Sequence, residues 1–187
     1  MIACAHQPNF LPWLGTIAKI MKADIFVVLD SVQYPRRSWT NRVRIRNGLG
    51  QCWLTVPVQT KGNRDYKIND VQVDYDTFWP EKHLKTLYQQ YGKTSYFTPV
   101  MDMLLPIYNF RHAGLAGFNL SLLEAVIDFM NIDTEVVLES GISLMGNGSV
   151  RIAKLCKSVG ADRYLAGDGA SDYEDRNAYA KRNIDFM

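Results

Sequence analysis

The stretch MIACAHQPNFLPWLGTIAKIMKADIFVVLD, residues 1–30, decides the fold. Its first six residues are short and apolar, and the QPNFLPW that follows holds two prolines, a loop signal. Leu14, Ile17, Ala18 and Met21 then repeat at i, i+3, i+4 and i+7, which predicts an amphipathic helix over about 14–23 with those four side chains inward. Ile25 to Asp30, IFVVLD, is a continuous apolar run of the kind buried on both faces of a parallel sheet. Strand, helix and strand within about 30 residues make a βαβ unit. The expected class is α/β, a Rossmann-like, mostly parallel sheet.

Downstream, RVRIR at 42–46 alternates and QCWLTVPV at 51–58 is strand-like, with NGLG between them. This predicts a β-hairpin over about 42–58, with Val43 and Ile45 on one face and three arginines on the other. Ile68 to Val73 suggests another short strand. Three helical stretches follow at about 77–91, 97–109 and 117–130. Gly92 closes the first, Gly114 and Gly117 precede the third, and Asn119 is a possible N-cap. The chain then returns to α/β through TEVVLES, SVRIAKLCKSVG and DRYLAG, with Ser149 placed to cap a helix, Gly160 to end it, and a last helix near 174–182. One domain over 1–187 is expected, carrying the hairpin and a helical insertion at about 77–130.

Composition narrows the classes. A chain of 187 residues, 47% hydrophobic and 21% charged, suits a globular domain and excludes disorder. No apolar run reaches the ~18 residues of a membrane span, and MIACAHQPNF lacks the regions of a signal peptide. Cys4, Cys52 and Cys156 form no metal or disulfide spacing and read as reduced thiols, so a cytoplasmic setting is expected. The three histidines give no metal motif, and the cofactor is left open. A net charge of +2 conceals +7 over residues 33–67 and −5 elsewhere. Such a local basic stretch points to an anionic partner.

Ligands of open parallel sheets bind at the carboxyl ends of the strands. His6, Gln7 and Asn9 follow the first strand there, and Asp30 follows the second. His6 offers a titratable imidazole, and the amides offer donors and acceptors. Arg37, Trp39, Asn41 and Arg42 come next, with guanidinium forks suited to phosphate or carboxylate. Arg44 and Arg46 read as a solvated hairpin face. Gly167 and Gly169, with Tyr173, leave a predicted strand on the same side as His6, where backbone could approach a ligand closely. His83, one turn after Trp79, reads as a partly exposed packing residue. These readings imply a small anionic substrate, with nucleic acid a weaker alternative and no membrane partner.

The blocks HQPNFLPWLG, ADIFVVLDSVQYPRRSWTNR, QCWLTVPV, WPEKHLKTL with YGKTSYF, and GADRYLAGDGASDY, in that order, resemble the WbqC-like protein family. The resemblance implies a link to bacterial surface-polysaccharide (O-antigen) gene clusters. Its motif positions here are His6, Gln7, Pro8, Asn9, Pro12, Trp13, Asp30, Trp39, Asn41, Arg42, Gly167, Gly169 and Tyr173. The implied activity is a transferase acting on an activated sugar or related precursor, with His6 as general base and Asp30 orienting. The opening is also similar, more distantly, to the nucleotidylyltransferase-like α/β fold, whose His-x-Gly-His signature is here only half present. A binding module for RNA or anionic glycan, driven by residues 33–67, stands as a further alternative.

Overall fold

The computed structural model describes residues 1–48, 50–60, 65–142, 144–167, 169 and 174–187. In chain order the elements are β1 (Ile2–His6), α1 (Leu14–Ile20), β2 (Ile25–Val28), β3 (Arg42–Asn47), β4 (Gly50–Thr55), β5 (Val58–Gln59) and β6 (Gln72–Val73). Then come α2 (Trp79–Tyr91), α3 (Phe97–Asn109), α4 (Leu115–Phe129), β7 (Glu135–Leu138), α5 (Gly148–Ser158), β8 (Arg163–Tyr164), α6 (Arg176–Ala180) and β9 (Asp185–Phe186). They fall into two compact units. The first comprises Met1–Gln7, Pro12–Ser31 and Ile132–Met187; the second comprises Pro8–Leu11 and Val32–Asn131.

The first unit is built on a five-stranded parallel sheet in the order β7-β2-β1-β8-β9. All four residues of β2 are buried, as its unbroken apolar run requires. Ala3, Ala5, Ile25 and Val27 pack with Ile152, Leu155 and Cys156 of α5 and with Tyr179 of α6. Each fully buried aliphatic side chain in such a layer contributes roughly 1.5–3 kcal/mol. The α/β class and the parallel sheet therefore stand.

Several local expectations are corrected. Helix α1 buries Thr16, Ile17 and Ile20, whereas Leu14 and Met21 are 80% and 58% exposed and Ala18 also faces solvent. The apolar spacing is real, but the helix is rotated about its axis so that only Ile17 of the expected stripe points inward. Ser149 does not cap α5. Asn147 occupies the N-cap, and Ser149 Oγ instead accepts from the Asp175 amide at 2.8 Å. Residues 68–73 split into a 3₁₀ turn at Ile68–Asp70 and the two-residue β6. Strand β9 is too short to leave a periodic signal.

The second unit holds the antiparallel β3–β4 hairpin, the small β5–β6 pair and helices α2–α4. Register pairs Val43 with Leu54 and Ile45 with Cys52 toward the core, so Arg42, Arg44 and Arg46 share the other face. Its core gathers Phe10, Leu54, Ile68, Trp79, Phe118 and Leu122. Gly117 lies inside α4, and the N-cap is Gly114. Asn119 is no cap either. It is fully buried, and its Nδ2 donates to the carbonyls of Pro8 (2.8 Å) and Thr40 (2.7 Å). No helix among the described residues is long and apolar enough to cross a membrane.

Candidate functional site

Within the first unit the chain runs β1, β2, β7 to one side of β1, then resumes on the other side with β8 and β9. The sheet therefore reverses its winding direction between β1 and β8. Loops diverge at such a switch point and leave a crevice at the carboxyl edge. His6 ends β1 at this edge. The register pairs Ala3 with Tyr164, and Gly167 follows the end of β8 by three residues, at the same carboxyl edge of the sheet. Gly167 and Gly169 are exposed, and a Cβ on either would meet nothing within 4 Å. Neither has a left-handed backbone, so packing alone does not demand glycine there.

The His6 ring is half-buried, and its Nδ1 lies 2.9 Å from the Gln7 carbonyl oxygen. A carbonyl can only accept, so Nδ1 carries the proton and donates, leaving Nε2 as a lone-pair acceptor. Burial pulls the imidazole below its ordinary pKa of 6.5; the Gln7 carbonyl opposes this and the charge of Lys19 adds to it. Lys19 reaches from α1 to donate from Nζ to the Ala5 carbonyl at 2.9 Å. Burial lowers its own pKa as well. Beneath it, burial pushes the Cys4 thiol up to about 12, which makes it inert as a nucleophile. Sequence reasoning missed Lys19 because a single lysine on a helix face carries no signal.

Asp30 is buried, and its Oδ1 accepts from the Ser140 amide at 2.9 Å, on the β7 side of β2. Among the described residues no hydrogen bond joins the His6 imidazole to Asp30. Beside Asp30, the fully buried Glu139 accepts from Ser31 Oγ (2.8 Å) and from Arg151 Nε, while Arg151 Nη2 donates to Ser31 Oγ at 3.1 Å. This network fastens the loop after β2 to the turn after β7. Its sequence signal is the pair VVLD at 27–30 and VVLE at 136–139, two apolar runs each followed by an acid.

Of the other sequence-derived residues, Asn9, Arg37, Trp39, Asn41 and Arg42 belong to the second unit, Pro12 and Trp13 to the first, and Tyr173 lies outside the described residues. Asn9 is half-buried in the short Pro8–Leu11 segment. Arg37 is exposed on a left-handed backbone (φ 54°). Asn41 is buried, and its Nδ2 donates to the Val56 carbonyl at 3.1 Å, clamping the base of the hairpin. Trp39 and Arg42 come together with two residues not selected from sequence as ligand groups. The Trp39 and Trp53 rings lie 5.4 Å apart, the Arg42 guanidinium sits 4.3 Å over Trp53, and Arg44 lies 5.4 Å and 5.8 Å from Trp53 and Trp39. Arg44 thus lies near both indoles while remaining exposed.

His83 is a correction. It is only 5% exposed, with Nε2–H donating to the Thr55 carbonyl (3.1 Å) and Nδ1 facing Tyr108 Oη (3.4 Å). Phe10, Trp79 and Tyr108 surround its ring. Burial pulls its pKa down to about 4, so it is a neutral core residue. Among the described residues no group of three or more His, Cys, Asp or Glu side chains could hold a metal. Two open depressions in the second unit, about 510 Å³ at Gln33–Arg36 and about 340 Å³ beside Tyr75, Tyr108 and Arg111, are lined by none of the sequence-derived site residues.

These features define an open parallel α/β unit with an imidazole at its switch-point edge, interrupted after β2 by a hairpin and three helices. The chain belongs to the WbqC-like protein family, whose sequence profile matches residues 7–187. It is also 34% identical over 179 residues to the uncharacterized protein Rv1507c of Mycobacterium tuberculosis, covering 95% of this chain and 77% of that relative.

Proposed function

We propose that the protein is a transferase modifying an activated sugar or related precursor in bacterial surface-polysaccharide biosynthesis, with His6 as its general base. One observation carries the chemistry: Nδ1–H is committed to the Gln7 carbonyl, so Nε2 is a free acceptor on a ring that burial keeps neutral. The substrate class follows from the association of the WbqC-like family with O-antigen gene clusters. In this reading Nε2 takes the proton from an acceptor hydroxyl or amine as its oxygen or nitrogen bonds to the transferred group, while the donor's bond to its activating group breaks and that group departs with the electron pair. Such proton transfer contributes on the order of 10²–10⁴-fold. Asp30, with Oδ1 taken by Ser140, offers Oδ2 to orient the acceptor, and the Gln7 side chain binds it. The Lys19 ammonium supplies positive charge for a phosphate or carboxylate of the substrate, and the backbone at Gly167 and Gly169 lies open to close approach.

The test has two stages. A thermal-shift screen of sugar nucleotides, nucleoside triphosphates and acyl donors identifies a ligand, because binding at a hundredfold excess over Kd stabilises by about 2.7 kcal/mol. Turnover of that ligand is then measured in His6→Ala, where a loss of about 10²-fold or more with an unchanged melting temperature is expected. Full turnover in His6→Ala removes the assigned base.

A further inference from the structure

We propose that the outer face of the β3–β4 hairpin binds single-stranded nucleic acid. This inference rests on the second unit alone. Arg42, Arg44 and Arg46 occupy alternate positions of β3, so their side chains leave one face at intervals of about 6.8 Å. Their cross-strand partners on that face are Thr55, Trp53 and Gln51. The face therefore carries no acid, and among the described residues no carboxylate forms a salt bridge with any of the three arginines. One small anion would engage one or two of these cations. A row of three spread over about 14 Å matches an extended chain of repeated charges.

The aromatic groups select among polyanions. Trp39 and Trp53 remain 49% and 44% exposed although they touch each other, far more than indoles placed only for packing. The Arg42 guanidinium lies over the Trp53 ring and that of Arg44 lies near both rings, which ties the cations to the indoles, while Arg44 and Arg46 remain exposed. A basic track beside exposed aromatic platforms is the arrangement that takes phosphates along one line and bases on the rings. Beneath it, the inward Val43 and Ile45 pack on the core, and Asn41 pins the hairpin base to Val56, so the surface is preformed.

The test follows tryptophan quenching of the full chain by oligo(dT) and oligo(U) of about eight nucleotides, within the site sizes typical of such surfaces. Three phosphate contacts predict a log–log salt slope near −2, or about a 16-fold loss of affinity between 50 and 200 mM salt. Arg44→Gln should make the slope shallower by about 0.7. Trp53→Ala should weaken binding at least about fivefold. Arg46→Gln, at a fully outward position, repeats the slope test if the indole variant fails to fold. Lys82→Ala with Lys85→Ala, on exposed positions of α2, should leave the slope unchanged. A preference for oligo(U) or oligo(dT) separates RNA from DNA as the source of the strand. No binding at low salt overturns the proposal, as does an unchanged slope in the arginine variants. Equal affinity for a mononucleotide, or for a ring-free polyanion such as polyphosphate, overturns it too.

Discussion

His83 makes the stability of the second unit depend on pH, and the size of that dependence can be worked out. Its folded pKa lies at about 4, against an ordinary value of 6.5, because burial among Phe10, Trp79 and Tyr108 disfavours the imidazolium. The Nε2–H bond to the Thr55 carbonyl only partly offsets this. Between pH 6.5 and 4 the unfolded chain binds the extra proton, so folding stability falls as pH falls through that window and is fully present above it. Integrating the linkage from pH 7 to pH 5 gives a loss of about 2 kcal/mol, rising to about 3 kcal/mol at pH 4. Urea unfolding at several pH values, for the wild type and His83→Gln, isolates the contribution, because His6, His112 and the carboxylates titrate in both proteins. The glutamine removes the titration and keeps a donor toward Thr55. The difference between the two curves should shrink by about 2 kcal/mol on going from pH 7 to pH 5. Parallel curves would show that this imidazole is charged or solvated in the folded protein, and would refute the burial argument.

Glu139→Ala leaves Arg151 and Ser31 without their buried acceptor, and should cost about 3 kcal/mol in urea unfolding; a loss under about 1 kcal/mol would contradict the burial of this pair. Burial is the main cause of the lowered His6 pKa and the Lys19 charge adds to it; Lys19→Met keeps the packing on β1 but removes that charge, so the His6 ring proton followed by NMR should titrate at higher pH than in the wild type. A titration that stays put would show that Lys19 does not sense the imidazole. Of the three thiols, half-buried Cys52 should react first with a disulfide reagent. Cys4 and Cys156, both pushed up to about 12 by burial, should wait for unfolding, and three equal rates would argue against the core assignment.

Much of the fold was legible because its signals are local. The IFVV run is apolar at every position, which only a strand covered on both faces tolerates, and β2 is buried throughout. The RVRIR alternation separates Val43 and Ile45 from the arginines, and the hairpin register repeats that division. Helix α1 shows the limit. Leu14, Ile17, Ala18 and Met21 satisfy helical spacing, yet the face that reaches the core is Thr16, Ile17 and Ile20. Periodicity reports that a helix is amphipathic, while its rotation is set by the strands it covers. Asn119 and Ser149 show the same limit: their chemistry suits a cap, and only distant partners reveal another use.

The candidate edge divides in the same way. From the sequence came His6, Gln7, Asp30, Gly167 and Gly169, because strand ends can be located from neighbouring residues. The tertiary structure alone decided how those groups are equipped. It set the His6 tautomer through the Gln7 carbonyl, brought Lys19 over β1, and turned Asp30 toward Ser140. It also joined Ser31 to Glu139 across 108 residues of chain. In the second unit it set the Arg42 and Arg44 guanidiniums against the Trp39 and Trp53 rings. Strand and helix follow from side-chain size and spacing over a few residues. Protonation, ring orientation and ion pairing depend on burial and on groups far apart in the chain, and those are fixed only when the chain has folded.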